Sequence, residues 1–440
     1  QMKVLDEILH DISQPQPMSR LLQGDVGSGK TIVALLALLM TIKNGFQGAF
    51  MAPTEILAEQ HYNTILKTLS CIKPNLDDRT SPIATLVDNS DSEITIALLT
   101  GKQSEKNKLQ ITDMISEGKI DLIIGTHALI QKGVAFKKLG LVVIDEQHRF
   151  GVMQRNELRQ KGYNPHMLVM TATPIPRTLA LTLYGDLDIS VIDELPPGRM
   201  AIITRWMSWE KRQKAYEFIC RELDSGHQAF IICPLIEESD TIEARAAISE
   251  HKRLSQDIFP GYKLGLLHGR MPPDKKDQVM TDFRRGEYQI LVATPVVEVG
   301  IDIPNATVIL IEAADRFGLS QLHQFRGRVG RGTAQSYCML LSEKPSDQGI
   351  QRLRAIEEIQ NGFVLAEKDM ELRGPGEFFG TRQSGMPDLR MAKLSDIKLV
   401  ELAREQARQL FAEDPGLKSP ENEALARELK RIWPSITEWS

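Results

Sequence analysis

Cysteine is scarce. The four in 440 residues (Cys71, Cys220, Cys233, Cys338) lie far apart without metal-ligand spacing, which speaks against a disulfide framework or a zinc site and for a reducing compartment. Long apolar runs are absent too: the longest, Ile32–Ile42, falls short of the roughly 18 residues that a membrane span needs. No basic stretch followed by an apolar core opens the chain, so no signal peptide is read in QMKVLDEILHDISQ. Aromatics make up only 6% of residues, too few for an extended base-stacking platform. There is no excess of basic charge, the net being −5, so any nucleic-acid partner depends on a local stripe of cations. Together these absences fit a reducing compartment and a soluble enzyme best, and a cytoplasmic location is expected.

What is present is ordinary globular composition, 42% hydrophobic and 25% charged, in a chain long enough for roughly three domains. Two blocks alternate short β-like runs with helical stretches, the pattern of a parallel sheet covered by helices. The first block carries SRLLQG, GAFMAP, DLIIGT, LVVIDE and HMLVMTAT; the second carries QAFIICPL, KLGLLHG, YQILVAT, TVILIEA and SYCMLL. Each is nearly continuous in Val, Ile, Leu or Met, as strands buried on both faces are. Leu195-Pro196-Pro197-Gly198-Arg199 reads as the linker between the blocks. Beyond about Glu343 only helical patterns remain. The expected organisation is α/β over residues 1–195, α/β over 196–345 and helical over 346–440. Lys73–Glu93 reads as a surface insertion, and Asp414–Pro420 as a turn joining the last helices.

Gly24-Asp25-Val26-Gly27-Ser28-Gly29-Lys30-Thr31 is G-x-x-x-x-G-K-[ST] between a strand-like and a helical stretch. Glycines let backbone N–H groups approach phosphate oxygens at a helix N-terminus. Lys30 is placed to neutralise the β- and γ-phosphates of a nucleotide, and Thr31 to ligate Mg²⁺. Leu141-Val142-Val143-Ile144-Asp145-Glu146 is a buried strand ending in two carboxylates: Asp145 suits Mg²⁺ through its water shell, Glu146 the polarising of a water. Within Gln321–Gly332, Arg328 and Arg331 are expected on one face of a helix, reaching across a cleft toward the γ-phosphate. Arg326 reads as a solvated cation or a phosphate-backbone contact.

Small polar groups recur at strand ends in both blocks. Thr54, Thr126, His127, His268, Arg270 and Thr294 could hold a sugar–phosphate strand without reading its sequence. Thr171-Ala172-Thr173-Pro174 ends another strand and could sense the nucleotide state. His10, His61, His166, His227 and His251 form no ligand cluster in the sequence, whereas His148, next to the acidic pair, is expected to link the nucleotide site to its neighbours.

Taken in order, GDVGSGKT, APTEILAEQH, GTHALIQ, VVIDEQHRFG, TATPIPRTLA, DELPPGR, LHGRM, VATPVVEVGIDIPNA and QFRGRVGRG resemble a superfamily 2 helicase motor. With LIEES and FVLAEKDMELRGPGEFFGTRQSG, the chain resembles more narrowly the RecG family of bacterial ATP-dependent DNA helicases, over nearly its whole length. The resemblance implies two RecA-like lobes followed by a helical translocation module. It implies ATP as the nucleotide, with Gln1 at the place of the adenine-recognising glutamine and Gln324, Arg328 and Arg331 in the arginine-finger motif. Phe363–Gln383 is similar to the hairpin that couples hydrolysis to duplex movement, with Arg373, Arg382 and Gln383 as its polar residues. The implied function is ATP-driven translocation on duplex DNA, for branch migration of recombination junctions and regression of stalled forks in repair. Implied partners are double-stranded and branched DNA, including Holliday junctions, and single-stranded DNA-binding protein; the implied enzyme is a monomer off the membrane, near the nucleoid.

The family carries an upstream OB-fold wedge that splits junction arms, and these residues begin at the motor, so reduced fork recognition is expected. Three rivals stand against this reading. The similar transcription-repair coupling factor has DEEHRFG where this chain has Gln147. A nucleotide-dependent scaffold has no need of Glu146, Arg328 and Arg331 together. An RNA helicase is disfavoured by an acidic box unlike DEAD.

Overall fold

The computed structural model describes residues 1–72, 82–87, 93–131, 133–146, 161–162, 164–173, 187–194, 200–234, 240–295, 303–373 and 397–432. The first lobe holds helices α1 (Met2–Ile12), α2 (Lys30–Lys43), α3 (Glu55–Ile72) and α4 (Glu105–Glu117). Its strands are β1 (Ser19–Gly24), β2 (Gln47–Met51), β3 (Ile83–Val87), β4 (Glu93–Leu99), β5 (Leu122–Gly125), β6 (Leu139–Ile144), β7 (His166–Thr171) and β8 (Asp188–Ile192). They form one eight-stranded sheet in the order β3-β4-β5-β2-β6-β7-β1-β8. Every pairing is parallel except β3 with β4.

The second lobe has β9 (Ile203–Ser208), β10 (Gln228–Ile232), β11 (Leu264–Leu267), β12 (Ile290–Ala293), β13 (Ala306–Ile311) and β14 (Tyr337–Ser342), with helices α5 (Arg212–Asp224), α6 (Asp240–Arg253), α7 (Pro273–Arg284) and α8 (Leu319–Arg326). These six strands are all parallel, ordered β11-β12-β10-β13-β14-β9. Among the described residues after Ser342 the elements are helical: α9 (Asp347–Glu358), α10 (Gly362–Arg373), α11 (Ile397–Glu413) and α12 (Glu423–Ile432), with one short 3₁₀ turn at Pro420–Asn422. The expected succession of two parallel-sheet lobes and a helical region holds.

Strand side chains alternate between two cores. In the first lobe Leu22, Phe50, Ile124, Leu141 and Val143 face one helix layer, while Leu21, Ala49, Met51, Ile123, Val142 and Ile144 face the other. A period of two with both faces covered explains the unbroken apolar runs of the inner strands. It also explains which strands the sequence hides. Edge strand β9, ITRWMS, has only a half-covered face and therefore mixes Arg, Thr and Ser among its apolar residues. The same holds for β8, DISVI, at the other sheet's edge. The expectation that Lys73–Glu93 is a surface insertion is corrected in part. Ile83–Val87 is an antiparallel edge strand, Ile83 opposite Ala97, with Ala84 buried in the core. The linker at Leu195–Arg199 lies outside the described residues.

Two anchors matter for the site. Arg20 on β1 pairs with Asp11 of α1 at 2.6 Å and donates to Ser190 on β8 at 2.7 Å, which fixes α1 and Gln1 at its head. At the far end, α11 returns to the first lobe, where Arg404 donates to the Leu187 carbonyl at 2.6 Å and Arg408 pairs with Asp188. The turn between α11 and α12 is built by Asp414, which accepts from the Lys418 and Ser419 amides and from the Asn422 side chain, each at 2.9 Å. Among the described residues, no helix is long and apolar enough to cross a membrane.

Candidate active site

Parallel strands deliver all their C-termini to one edge, where loops can assemble a site. In the first sheet that edge divides. Adjacent β6, β7 and β1 end in Asp145-Glu146, Thr171–Thr173 and the phosphate loop; adjacent β5 and β2 end in Thr126-His127 and Pro53-Thr54.

The loop Gly24–Thr31 leads straight into α2. Gly29 has φ +91°, and a Cβ there would sit 2.2 Å from Gln1 Nε2, so only glycine fits. Gln1 donates from Nε2 to the Ser28 carbonyl at 2.7 Å, bringing that residue directly onto the loop. Lys30 Nζ is folded inward, donating to the carbonyls of Gly24 (2.8 Å) and Asp25 (2.9 Å). Burial pushes its ammonium below the usual lysine range, against the opposing pull of Asp145, Glu146 and Asp25. The Ser28 hydroxyl is buried with no hydrogen-bond partner. A cation turned onto its own loop, beside an unsatisfied hydroxyl, is a site shaped for an anion.

Asp145 Oδ2 accepts from His61 Nε2 at 2.8 Å. Burial pushes the Asp145 carboxyl up, but the His61 bond and charge and the Lys30 cation outweigh it, leaving it below the ordinary aspartate range. Glu146 moves the opposite way: burial and the adjacent Asp145 charge raise it, while Lys30 and Arg328 pull it down. One carboxylate is thus held ionised and its neighbour is held more basic, the split that a metal anchor and a general base require. Glu146 stands at φ +51°, in the left-handed region a β-strand exit rarely uses without a functional constraint. Thr31 and Asp145 supply hard oxygen donors that fit Mg²⁺.

Arg328 and Arg331 do not lie on a helix, contrary to expectation. The helix α8 stops at Arg326, and both arginines follow in a turn that Gly327, Gly330 and Gly332 punctuate. Gly330 has φ +77°, which breaks helical geometry. The turn nevertheless lies against the first lobe, since a Cβ on Gly327 would sit 3.0 Å from Val26 of the phosphate loop, and the Arg331 charge bears on Lys30 and that of Arg328 on Glu146. Gln324 Nε2 donates to Thr173 Oγ1 at 2.7 Å, a bond between lobes. The reading of Arg326 as a solvated or phosphate-contacting cation is corrected: it is buried and bonded to the carbonyls of Ile356, Ile359 and Gln360.

The candidate DNA contacts line the other half of the edge. Thr54 Oγ1 caps α3 by accepting from the Leu57 amide at 3.4 Å, Thr126 is buried and His127 exposed. Across the cleft, His268 and the exposed Arg270 follow β11, and buried Thr294 follows the adjacent β12. Burial and the Lys276 and Arg270 charges lower His268, and its Nδ1 has no hydrogen-bond partner. Lys102 of the first lobe pairs with Asp277 of α7, closing the lobes on this side. Arg373 is the last residue of α10; His148, Arg382 and Gln383 lie outside the described residues. Two residues of the site carry no sequence signal of their own. His61 is 84 positions from Asp145, and His323, which contacts Asp25 at 2.8 Å, is 298 positions from it.

The comparisons with known proteins follow this geometry. The DEAD/DEAH box helicase family profile matches residues 1–182, the helicase conserved C-terminal domain 210–333, and the profile described as ATP-dependent DNA helicase RecG, domain 3, C-terminal, 359–440. A Bacillus subtilis protein named ATP-dependent DNA helicase RecG is 50% identical over 98% of this chain and 60% of its own length. A Synechocystis relative of the same name is 50% identical over 95% of this chain and 48% of its own. A solved structure of RecG bound to a three-way DNA junction is 44% identical with a TM-score of 0.73, covering 91% of this chain and 50% of that one. The yeast protein Dbp5, bound to RNA and ADP BeF3, shares the fold at 17% identity and a TM-score of 0.54. The chain spans about half the length of the relatives it matches. With identity near one residue in two from the phosphate loop to the final helices, it belongs to the RecG family.

Proposed function

We propose that this chain is the ATP-driven motor of a duplex DNA translocase that migrates branched junctions and regresses stalled forks. The observation that carries the reading is that the loop bearing Lys30 meets the Gln324–Arg331 segment of the other lobe, with Gln324 bonded to Thr173 at 2.7 Å and His323 to Asp25 at 2.8 Å. Among the described residues the phosphate loop belongs to one lobe and the two arginines set to face it belong to the other, so hydrolysis is tied to closure of the lobes.

In this mechanism Lys30 leaves the Gly24 and Asp25 carbonyls for the β- and γ-phosphates of ATP. Thr31 and Asp145 would hold Mg²⁺, which neutralises phosphate oxygens as charge shifts to the leaving group. Glu146 orients and deprotonates the attacking water, its carboxylate kept basic by burial beside Asp145. Arg328 and Arg331 stabilise charge developing on the γ-phosphoryl group. Gln324, bonded to Thr173, reports lobe closure to the loop after β7. Gln1 lies beside the loop in a position to read the adenine edge. Thr54, Thr126, His127, His268, Arg270 and Thr294 track the sugar–phosphate backbone on the adjoining half of the edge, and Arg373, Arg382 and Gln383 pass closure to the duplex.

A RecG relative is described bound to a three-way DNA junction, which supports branched DNA as the substrate class. A monomer working beside single-stranded DNA-binding protein, near the nucleoid, completes the reading. ATPase assays without nucleic acid and with duplex, single strand, RNA and a four-way junction test it. Duplex or junction DNA should stimulate most; stimulation by RNA alone overturns it. Replacing Arg382 and Gln383 by Ala should spare DNA-stimulated hydrolysis while reducing triplex displacement.

A further inference from the structure

Arg326, last residue of α8, is 3% exposed and donates four hydrogen bonds. Nη1 reaches the carbonyls of Ile356 (3.0 Å) and Ile359 (2.8 Å); Nη2 reaches the Gln360 carbonyl (2.8 Å) and His323 Nδ1 (3.0 Å). The three carbonyls belong to the last turn of α9 and the link to α10, where a helix end leaves its C=O groups without intrahelical partners. The guanidinium therefore closes the α9–α10 junction.

A guanidinium only donates, so His323 Nδ1 accepts and the ring proton sits on Nε2. That proton is donated to Asp25 Oδ1 at 2.8 Å, across the cleft and inside the phosphate loop. The same carboxylate oxygen accepts from the Val26 amide at 2.7 Å, and the Asp25 carbonyl accepts from Lys30. An unbroken chain of hydrogen bonds thus runs from the α9–α10 junction through Arg326 and His323 to the loop that must rearrange when phosphates enter. His323 itself is buried at 4% exposure, so water does not compete along the route. On the far side of the junction, Asn361 caps α10 by accepting from the Phe363 and Val364 amides at 2.8 and 3.3 Å, so displacement of the junction is passed to the head of that helix.

We infer that His323 is a positioning residue that ties the phosphate loop to the start of the post-motor helices, so that nucleotide binding is felt at the α9–α10 junction. When Lys30 turns from the Asp25 carbonyl to a nucleotide, Asp25 shifts, and His323 carries α8 and Arg326 with it. The inference takes from the proposed function only that ATP is the ligand of this loop.

Hydrogen–deuterium exchange at residues 356–364 of the full chain, with and without a non-hydrolysable ATP analogue, tests it. In the wild type the analogue should change exchange there by about fivefold or more, the scale of ordinary coupling between sites. His323→Asn keeps an acceptor near Arg326 but does not reach Asp25. With the analogue at a concentration that saturates the variant, as direct binding verifies, it should lose the exchange change. His323→Gln sets a donor near the Nε2 position and should recover it; His323→Leu should behave as Asn does. Melting temperature separates a folding defect from lost coupling. An analogue-induced change of wild-type size in His323→Asn, or none in the wild type, overturns the inference. Failure of DNA to stimulate hydrolysis is a separate outcome that counts against the motor reading alone.

Discussion

His61 Nε2 stands 2.8 Å from Asp145 Oδ2, with the His61 ring packed 4.5 Å from that of Phe50. The carboxylate can only accept, so His61 donates and fixes which way Asp145 presents its other oxygen. Removing a partner that orients a metal-binding group commonly costs about 10–100-fold in affinity or activity. His61→Ala should therefore raise the Mg²⁺ concentration for half-maximal ATPase by about tenfold, with His61→Gln intermediate. An unchanged Mg²⁺ dependence in His61→Ala would assign the histidine to packing only.

Binding and chemistry should separate between two charged residues of the first lobe, Lys30 and Glu146. Lys30→Ala is expected to weaken ATP binding and abolish hydrolysis, because the phosphates lose their cation. Glu146→Gln should bind ATP normally but turn it over about 10²–10⁴-fold more slowly. Equilibrium binding of a fluorescent nucleotide beside steady-state turnover distinguishes the two, and equal loss of binding in both makes Glu146 structural.

Arg331 stands in a turn, not a helix, so if it serves as the proposed finger its planar head rather than its helical register should matter. In Arg331→Ala, ATP affinity should stay within a few-fold while turnover falls by about 10³. Lysine should not rescue it, since a point charge lacks the guanidinium fork. Full activity in Arg331→Lys would defeat the finger role.

Lys102 joins Asp277 of the opposite lobe and lies 3.6 Å from both Glu55 and Asp274. Lys102 is 41% exposed, so each partner alone should contribute under about 1 kcal/mol. Lys102→Ala and Asp277→Ala should each lower the closed fraction, read by energy transfer between dyes on the two lobes. The double variant should lose less than the sum, and the difference should fade in high salt. Strict additivity would show that the pair does not act together.

How much was legible before the fold was known follows from the range of each signal. The inner strands other than β4 could be read because burial on both faces forces unbroken apolar runs, as in LGLVVI and ATVILI, whereas β4, EITIALL, is only partly buried and was not named. The phosphate loop and the Asp145-Glu146 pair could be read because their chemistry is packed into consecutive residues beside a strand. Edge strands β8 and β9 could not, since one neighbour and a half-covered face relax the pattern. Nor could the end of α8: three glycines were visible, but the two arginines at helical spacing suggested that the helix continued.

The sequence by itself determined the phosphate loop and the acidic pair, the two-lobe order and the family, each of which rests on contiguous residues. Only tertiary structure decided that His61 serves Asp145, that His323 of one lobe meets Asp25 of the other, and that Arg326 is a buried clamp on α9 rather than a solvated cation. These pairings join positions 30 to 298 apart, and a distance of that kind leaves no periodicity or spacing for the sequence to display. They exist because parallel strands bring remote loops to a common edge, where desolvation makes each hydrogen bond obligatory.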